Sequence, residues 1–339
     1  MDNYIEDPKT ISLYPSELYE EDLTPDCGVE IDEIANEIHE ACKGWGKDSK
    51  RLIKAIGNTT GVDRKCLSIR YPELHDTELL KLMKAECGNR DFGVAAQFLS
   101  LGPVEAECRM IKKAVDGLGS DKLMLYSILC GRSNEDMTLL KKTYYKMYTD
   151  DLIARVSGEV GGDLKKILTS AVQAAEEEFD PDYHTEDKAA EDAEIIYKAG
   201  QGRWGTDESK MAKIVVLSPP KYLKLLNGVY ADKYGYTLFK AFEKELNHIA
   251  GEAALFTLGM KLKPYETIAK LVKKATAGMG TNEMLLTCTL IRFQDLMGQV
   301  YVAHEKLFEK SIHQRVRDET SGDYKRILLA VLDKVMPEY

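Results

Sequence analysis

Four glycine-rich stretches recur along the chain: "ACKGWGKD" (41–48), "AVDGLGSD" (114–121), "AGQGRWGTDE" (199–208) and "ATAGMGTNE" (275–283). Their last glycines are Gly46, Gly119, Gly205 and Gly280, and an acid follows each at a matched distance. Glu86, Glu159 and Glu245 stand 40 residues beyond theirs, and Glu319 stands 39 beyond Gly280. Glycines let a turn point several main-chain carbonyls inward without steric cost. A carboxylate from a distant turn can then close the ring of oxygens. That donor set suits a hard cation, calcium above all, which takes six to eight oxygens and accepts backbone carbonyls readily. With little negative charge per site, each should be weak alone, with Kd of about 10⁻⁵–10⁻³ M. Open positions would remain for a phosphate oxygen. Ser120, Thr206 and Thr281 follow the glycines, where a helix N-cap is wanted.

Such joints need helices on either side, and the apolar spacing supplies them. Ile31, Ile34, Ile38 and Cys42 share one helical face, as do Leu164, Ile167, Leu168 and Ala171. Ile268, Leu271, Val272 and Ala275 repeat the device, and so do Tyr324, Ile327, Leu328 and Val331. Strand-like alternation is scarce, so the chain reads as all-α. The four joints are an internal repeat. The longer step between Gly119 and Gly205 contains "AAEEEFDPDYHTEDKAAED", an acidic connector with Pro181. Two pairs of modules joined by a longer linker follow from this. The first 28 residues carry Pro8, Pro15 and Pro25, with Tyr4, Tyr14 and Tyr19 among acids, and read as a tail that docks a partner or folds back.

Composition narrows the function. A net charge of −10 argues against nucleic acid, and would repel an anionic membrane unless something bridges the two. The seven cysteines are odd in number and include no CxxC, which reads as free thiols in a reducing compartment. The N-terminus lacks the pattern of a secretory signal, and no apolar run is long enough to span a bilayer. A cytoplasmic protein is expected. "GWGKDS" is not a P-loop, because Ala41 stands where the first glycine belongs. "HEACK" (39–43) lacks the second histidine of a zinc helix, and "DPDYHTED" (180–187) lacks the central glycine of an EF-hand. The six histidines are scattered, and solvated or capping roles are expected for them. No nucleophile–base pair has informative spacing, so no catalytic residues and no enzyme activity are expected.

These residues resemble the annexins. The pattern is that family's K-G-x-G-[T/S]-[D/E] turn with an acid about forty positions on, repeated four times from roughly Gly28 to the C-terminus. "GLGSD", "RWGTDE", "GMGTNE" and "DETSGDYKRILLA" carry it. The divergence and acidic head are similar to the protist annexins called α-giardins. The resemblance implies an all-α, annexin-like curved disc of four five-helix repeats with calcium loops on its convex face. Divided accordingly, the chain has a tail (1–28) and repeats at 29–102, 103–176, 177–260 (with the linker) and 261–339.

The implied function is calcium-dependent binding of anionic, phosphatidylserine-like phospholipid membranes. The chain would be a peripheral linker of membrane and cytoskeleton at the inner face, with a cytoskeletal partner for the tail. The competing reading is a calcium-independent cytoskeletal scaffold or filament-binding protein. Carried over by position, the resemblance assigns Ca2+ to the carbonyls of Cys42, Gly44 and Gly46 with Glu86, and to those of Val115, Gly117 and Gly119 with Glu159. It likewise assigns Gly200, Arg203 and Gly205 with Glu245, and Thr276, Gly278 and Gly280 with Glu319. Lys47 departs from the family's Thr/Ser, and "KELNHIAG" replaces a Ser-Gly turn after Glu245; "LSPPKYLKLLNG" lacks the usual basic turn. These flanks rank the sites second, fourth, first, third. Trp45, Leu118, Trp204 and Met279 occupy the loop tips as membrane contacts, a depth that tryptophan favours.

Overall fold

The computed structural model describes residues 8–19, 27–44, 46–116, 119–200, 208–245, 248–278 and 280–337. Among them the regular structure is helical. The first five α-helices are α1 (Val29–Cys42), α2 (Ser49–Gly57), α3 (Gly61–His75), α4 (Leu79–Cys87) and α5 (Asp91–Leu99). There follow α6 (Pro103–Val115), α7 (Lys122–Leu129), α8 (Asn134–Tyr148), α9 (Leu152–Glu159) and α10 (Gly162–Val172). The third group is α11 (Glu186–Gly200), α12 (Glu208–Leu217), α13 (Pro220–Tyr234), α14 (Leu238–Glu245) and α15 (Ile249–Leu262). The last is α16 (Pro264–Ala275), α17 (Glu283–Arg292), α18 (Met297–Phe308), α19 (Ile312–Glu319) and α20 (Gly322–Asp333). Helix α15 runs to Leu262, so a division at 260 falls inside it.

The chain forms two compact units. One takes Leu13–Met110 with Ile268–Tyr339. Here α20 packs on α2 and α5, closely enough that a Cβ on Gly57 would lie 2.6 Å from the Ala330 Cβ. The apolar face read from sequence is the buried one: Ile268, Val272, Ile327, Leu328 and Val331 are fully enclosed. Several charged and polar groups inside are held by hydrogen bonds, as burial favours. Arg64 Nη1 donates to the Thr59 carbonyl and to Gln294 Oε1. Arg292 Nε donates to Glu107 at 2.7 Å, and the Tyr14 hydroxyl donates to the other oxygen of that carboxylate at 2.6 Å. Tyr14 is buried, so this stretch of the N-terminal segment folds back rather than standing free.

The other unit takes Met1–Ser12 with Ile111–Thr267. It is built on α12 against α10 and α15, with α11 on α13. The basic group missing from "LSPPKYLKLLNG" comes instead from α15. The enclosed Lys261 ammonium donates to the carbonyls of Val215, Val216 and Ser218 and pairs with Glu176 at 2.6 Å.

The histidines depart from expectation. His184, His304 and His313 are buried, and each ring contacts a protein group: Glu177, the Lys310 carbonyl and Asp333 respectively. His39 stacks on His75 with centroids 4.1 Å apart. None of the seven cysteines forms a disulfide, and five of them are buried.

Candidate functional site: the glycine joints

Three of the four joints have described backbones on both sides, and they close in the same way. Asp48 N donates to the Ala41 carbonyl at 2.7 Å, Asp121 N to that of Ala114 at 2.8 Å, and Asn282 N to that of Ala275 at 2.8 Å. The accepting alanine is fully enclosed each time. Between the two ends, Gly44, Gly46, Gly119, Gly278 and Gly280 hold φ between +85° and +110°. A Cβ at any of them would meet nothing within 4 Å. Glycine is therefore required by the backbone angle and not by crowding.

At the second and fourth joints the next helix is capped one residue later than expected. Asp48, Asp121 and Asn282 accept from amides in the first turns of α2, α7 and α17. Ser120 and Thr281 do a different job, and Thr206 lies outside the described residues. Ser120 Oγ donates to the main-chain carbonyl of Glu159 at 3.0 Å, and Thr281 Oγ1 to that of Glu319 at 3.0 Å. At the first joint Lys47 takes over the hydroxyl's part, its Nζ donating to the Glu86 carbonyl at 2.9 Å. These ties bring each glycine turn to its distant glutamate. Glu86 lies in the last turn of α4, Glu159 ends α9 and Glu319 ends α19; all three side chains are part-exposed.

At the remaining joint Gly200 ends α11 and Glu245 ends α14. Arg203 and Gly205, like Gly117 of the second joint, lie outside the described residues, and so do Trp45, Leu118, Trp204 and Met279.

The donors fit a hard divalent cation. Cys42, Val115 and Thr276 each follow the alanine that closes the turn, so their carbonyls open the loop. Burial pushes the Cys42 thiol up to about 12. At neutral pH the sulfur is protonated and a poor ligand, which leaves the carbonyl as the donor there. Among the described residues, no three His, Cys, Asp or Glu side chains converge on a metal-sized space. The oxygens on offer are main-chain carbonyls with one glutamate per joint.

Two basic residues at the joints escaped the sequence reading. Arg155 and Arg315 each precede the closing glutamate by four positions, one helical turn. Arg155 Nη2 lies 3.2 Å from Glu159 Oε1 and 3.2 Å from Asp116 Oδ1, and Lys112 also pairs with Asp116. Arg315 points elsewhere. Its Nε donates to His304 Nε2 at 3.0 Å, leaving the Glu319 carboxylate with Thr281 as its side-chain partner at 3.4 Å. The i,i+4 spacing was the available signal.

Comparison with known proteins identifies the family and the fold. The Annexin family model matches residues 106–171, 191–248 and 268–331. Human annexin A13 is 31% identical over 307 residues, which is 90% of this chain and 96% of that protein. The solved structure of a mutant annexin A8 with an intact N-terminus superposes with a TM-score of 0.83 at 21% identity, covering 91% of this chain and 97% of the other. A calcium-bound α-14 giardin superposes with a TM-score of 0.77 at 18% identity, over 89% and 99%, a likeness of fold alone. The chain belongs to the annexin family, whose members in general bind phospholipid in a calcium-dependent way.

Proposed function

We propose that this protein binds anionic phospholipid surfaces when calcium is present, through its glycine joints, as a peripheral membrane protein of the cytoplasmic side and not as an enzyme. The observation that carries the reading is the threefold repetition of one closure. An alanine carbonyl, positive-φ glycines and a glutamate tied by its own carbonyl recur at the first, second and fourth joints. The residues that would hold calcium are those carried over by position: Cys42, Gly44, Gly46 and Glu86; Val115, Gly117, Gly119 and Glu159; Gly200, Arg203, Gly205 and Glu245; Thr276, Gly278, Gly280 and Glu319. Bound calcium supplies the positive charge that lets a chain of net charge −10 meet lipid phosphate. No helix among the described residues is long and apolar enough to cross a membrane, in keeping with a peripheral attachment. Trp45, Leu118, Trp204 and Met279 are the proposed apolar contacts at the loop tips.

The test is sedimentation with phosphatidylserine vesicles. The protein should pellet with calcium and return to the supernatant with chelator, and tryptophan emission should shift blue in the pelleting condition only. Equal pelleting with and without calcium would favour the scaffold reading and overturn this one.

A further inference from the structure

We infer that Arg155 is a latch on the second joint. It is a tethered cation that spans loop and glutamate and sets that joint's calcium threshold above that of the fourth. The inference rests on the reading of these joints as calcium sites.

The described parts of the second and fourth joints close with the same main-chain hydrogen bond. In both, an arginine stands one helical turn before the closing glutamate, Arg155 before Glu159 and Arg315 before Glu319. Eleven positions before each arginine, on the preceding helix, the residues differ: Tyr144 on α8 and His304 on α18. His304 Nδ1 donates to the Lys310 carbonyl at 2.8 Å. A neutral imidazole that donates through one nitrogen accepts through the other. Its Nε2 therefore takes the Arg315 Nε–H and holds that guanidinium beneath the joint, over the Phe308 ring. Tyr144 does not do this: its hydroxyl and Arg155 Nε both lack a hydrogen-bond partner.

The loop differs as well. Asp116, two residues after the closing Ala114, has Ala277 as its counterpart after Ala275. Arg155 is thus unanchored below and attracted above. Its guanidinium reaches both the loop acid and the closing glutamate at 3.2 Å, joining the two elements that a bound cation would join. Calcium entering the second joint must displace a positive charge from Glu159. At the fourth, Glu319 makes no ion pair among the described residues, and calcium meets a carboxylate that needs no such exchange. Part-exposed arginine–carboxylate pairs are individually weak, and losing these two places the handicap at about threefold to tenfold in calcium affinity.

The experiment is amide hydrogen exchange on the full-length protein during titration with calcium alone, following peptides around 119–128 and 152–160 against peptides around 280–291 and 312–321. In the unmodified protein the fourth joint should become protected at a calcium concentration about threefold to tenfold below the second. Arg155→Gln should lower the midpoint at the second joint to that of the fourth and leave the fourth unchanged. Without calcium it should speed exchange around 119–128, since the latch then holds nothing. Tyr144→His keeps the arginine but offers its Nε an acceptor, and should lower the same midpoint. Glu159→Gln separates the site from its latch. If it leaves the second joint's titration unaltered, the joint is not a calcium site and both readings fall. If it weakens the titration while Arg155→Gln and Tyr144→His shift nothing, the site stands and the latch is wrong.

Discussion

The second and fourth joints share a closing hydrogen bond, a hydroxyl tie and an arginine one turn before the glutamate. They part company at residues below and beside the loop. Tyr144 leaves Arg155 to pair with Asp116 and Glu159, whereas His304 draws Arg315 away from Glu319. Ligand identity alone therefore does not rank sites of this kind. What supports the neighbouring charge decides whether the carboxylate is already engaged. By that standard the fourth joint precedes the second, the reverse of the order read from sequence flanks.

The largest effect expected from this contrast is on acid stability. Burial lowers His304 from 6.5 to about 4. A base whose folded pKa is depressed binds fewer protons folded than unfolded at intermediate pH, so stability falls as pH drops below about 6.5 and levels off near 4. At about 1.4 kcal/mol per pH unit the loss approaches about 3 kcal/mol. His75 is lowered too, chiefly by burial, and adds loss of the same sign. Tyr144, the counterpart in the other unit, has its hydroxyl raised by burial and carries no charge change across this window. Urea denaturation between pH 7 and 4 should show the decline, and His304→Gln should flatten it. Hydrogen exchange should accelerate around 297–319 more than around 134–159. A His304→Gln protein with the same pH slope would remove the imidazole from the explanation.

Next comes the glutamate itself. Glu319→Gln removes a carboxylate charge with no competing cation, and should weaken calcium binding at its joint by about tenfold to a hundredfold, the range for losing a charged hydrogen-bonding partner. Glu159→Gln removes a charge that Arg155 already partly neutralises, so the loss at the second joint should be smaller. Local exchange midpoints in the two variants measure both numbers. Equal losses would break the distinction between an engaged and a free carboxylate.

Much of this was legible in the chain because glycine, helix periodicity and spacing are local or regular signals. The first, second and fourth joints, the buried faces of α16 and α20 and the approach of each of those three turns to its acid followed from them. The positive φ at Gly44, Gly46, Gly119, Gly278 and Gly280 is what their residue type announces. Other features depend on which side chains tertiary packing brings together. The capping role passed from Ser120 and Thr281 to Asp121 and Asn282 because each hydroxyl found the glutamate carbonyl, a partner 39 or 38 residues away. Lys261 serving the turn after α12, and the burial of His304 beside Arg315, are likewise contacts between separate helices. Arg155 lay within reach of a helical i,i+4 argument, but its second partner, Asp116, is 39 residues away.

The first joint extends the comparison and gives the smallest expected effect. Lys47 replaces a hydroxyl with an ammonium and keeps the tie, donating to the Glu86 carbonyl at 2.9 Å while lying over the Phe92 ring. The tether is preserved and a positive charge is added. A divalent cation entering the loop would feel that charge across a part-exposed, partly screened distance, at a cost of about 1 kcal/mol or roughly fivefold in affinity. Lys47→Thr should recover that factor. It forfeits the contact with Phe92, worth about 0.5 kcal/mol at an exposed site, so the melting temperature should fall only slightly. Lys47→Met separates charge from tether: it removes the ammonium and offers no donor to Glu86, so it should gain less than the threonine. Hydrogen exchange around 46–53 during calcium titration reads all three proteins. If methionine matches threonine, the tie to the glutamate carbonyl contributes nothing to the site. If neither differs from lysine, the charge beside a glycine joint does not govern its calcium affinity, and the contrast between Arg155 and Arg315 loses its physical basis as well.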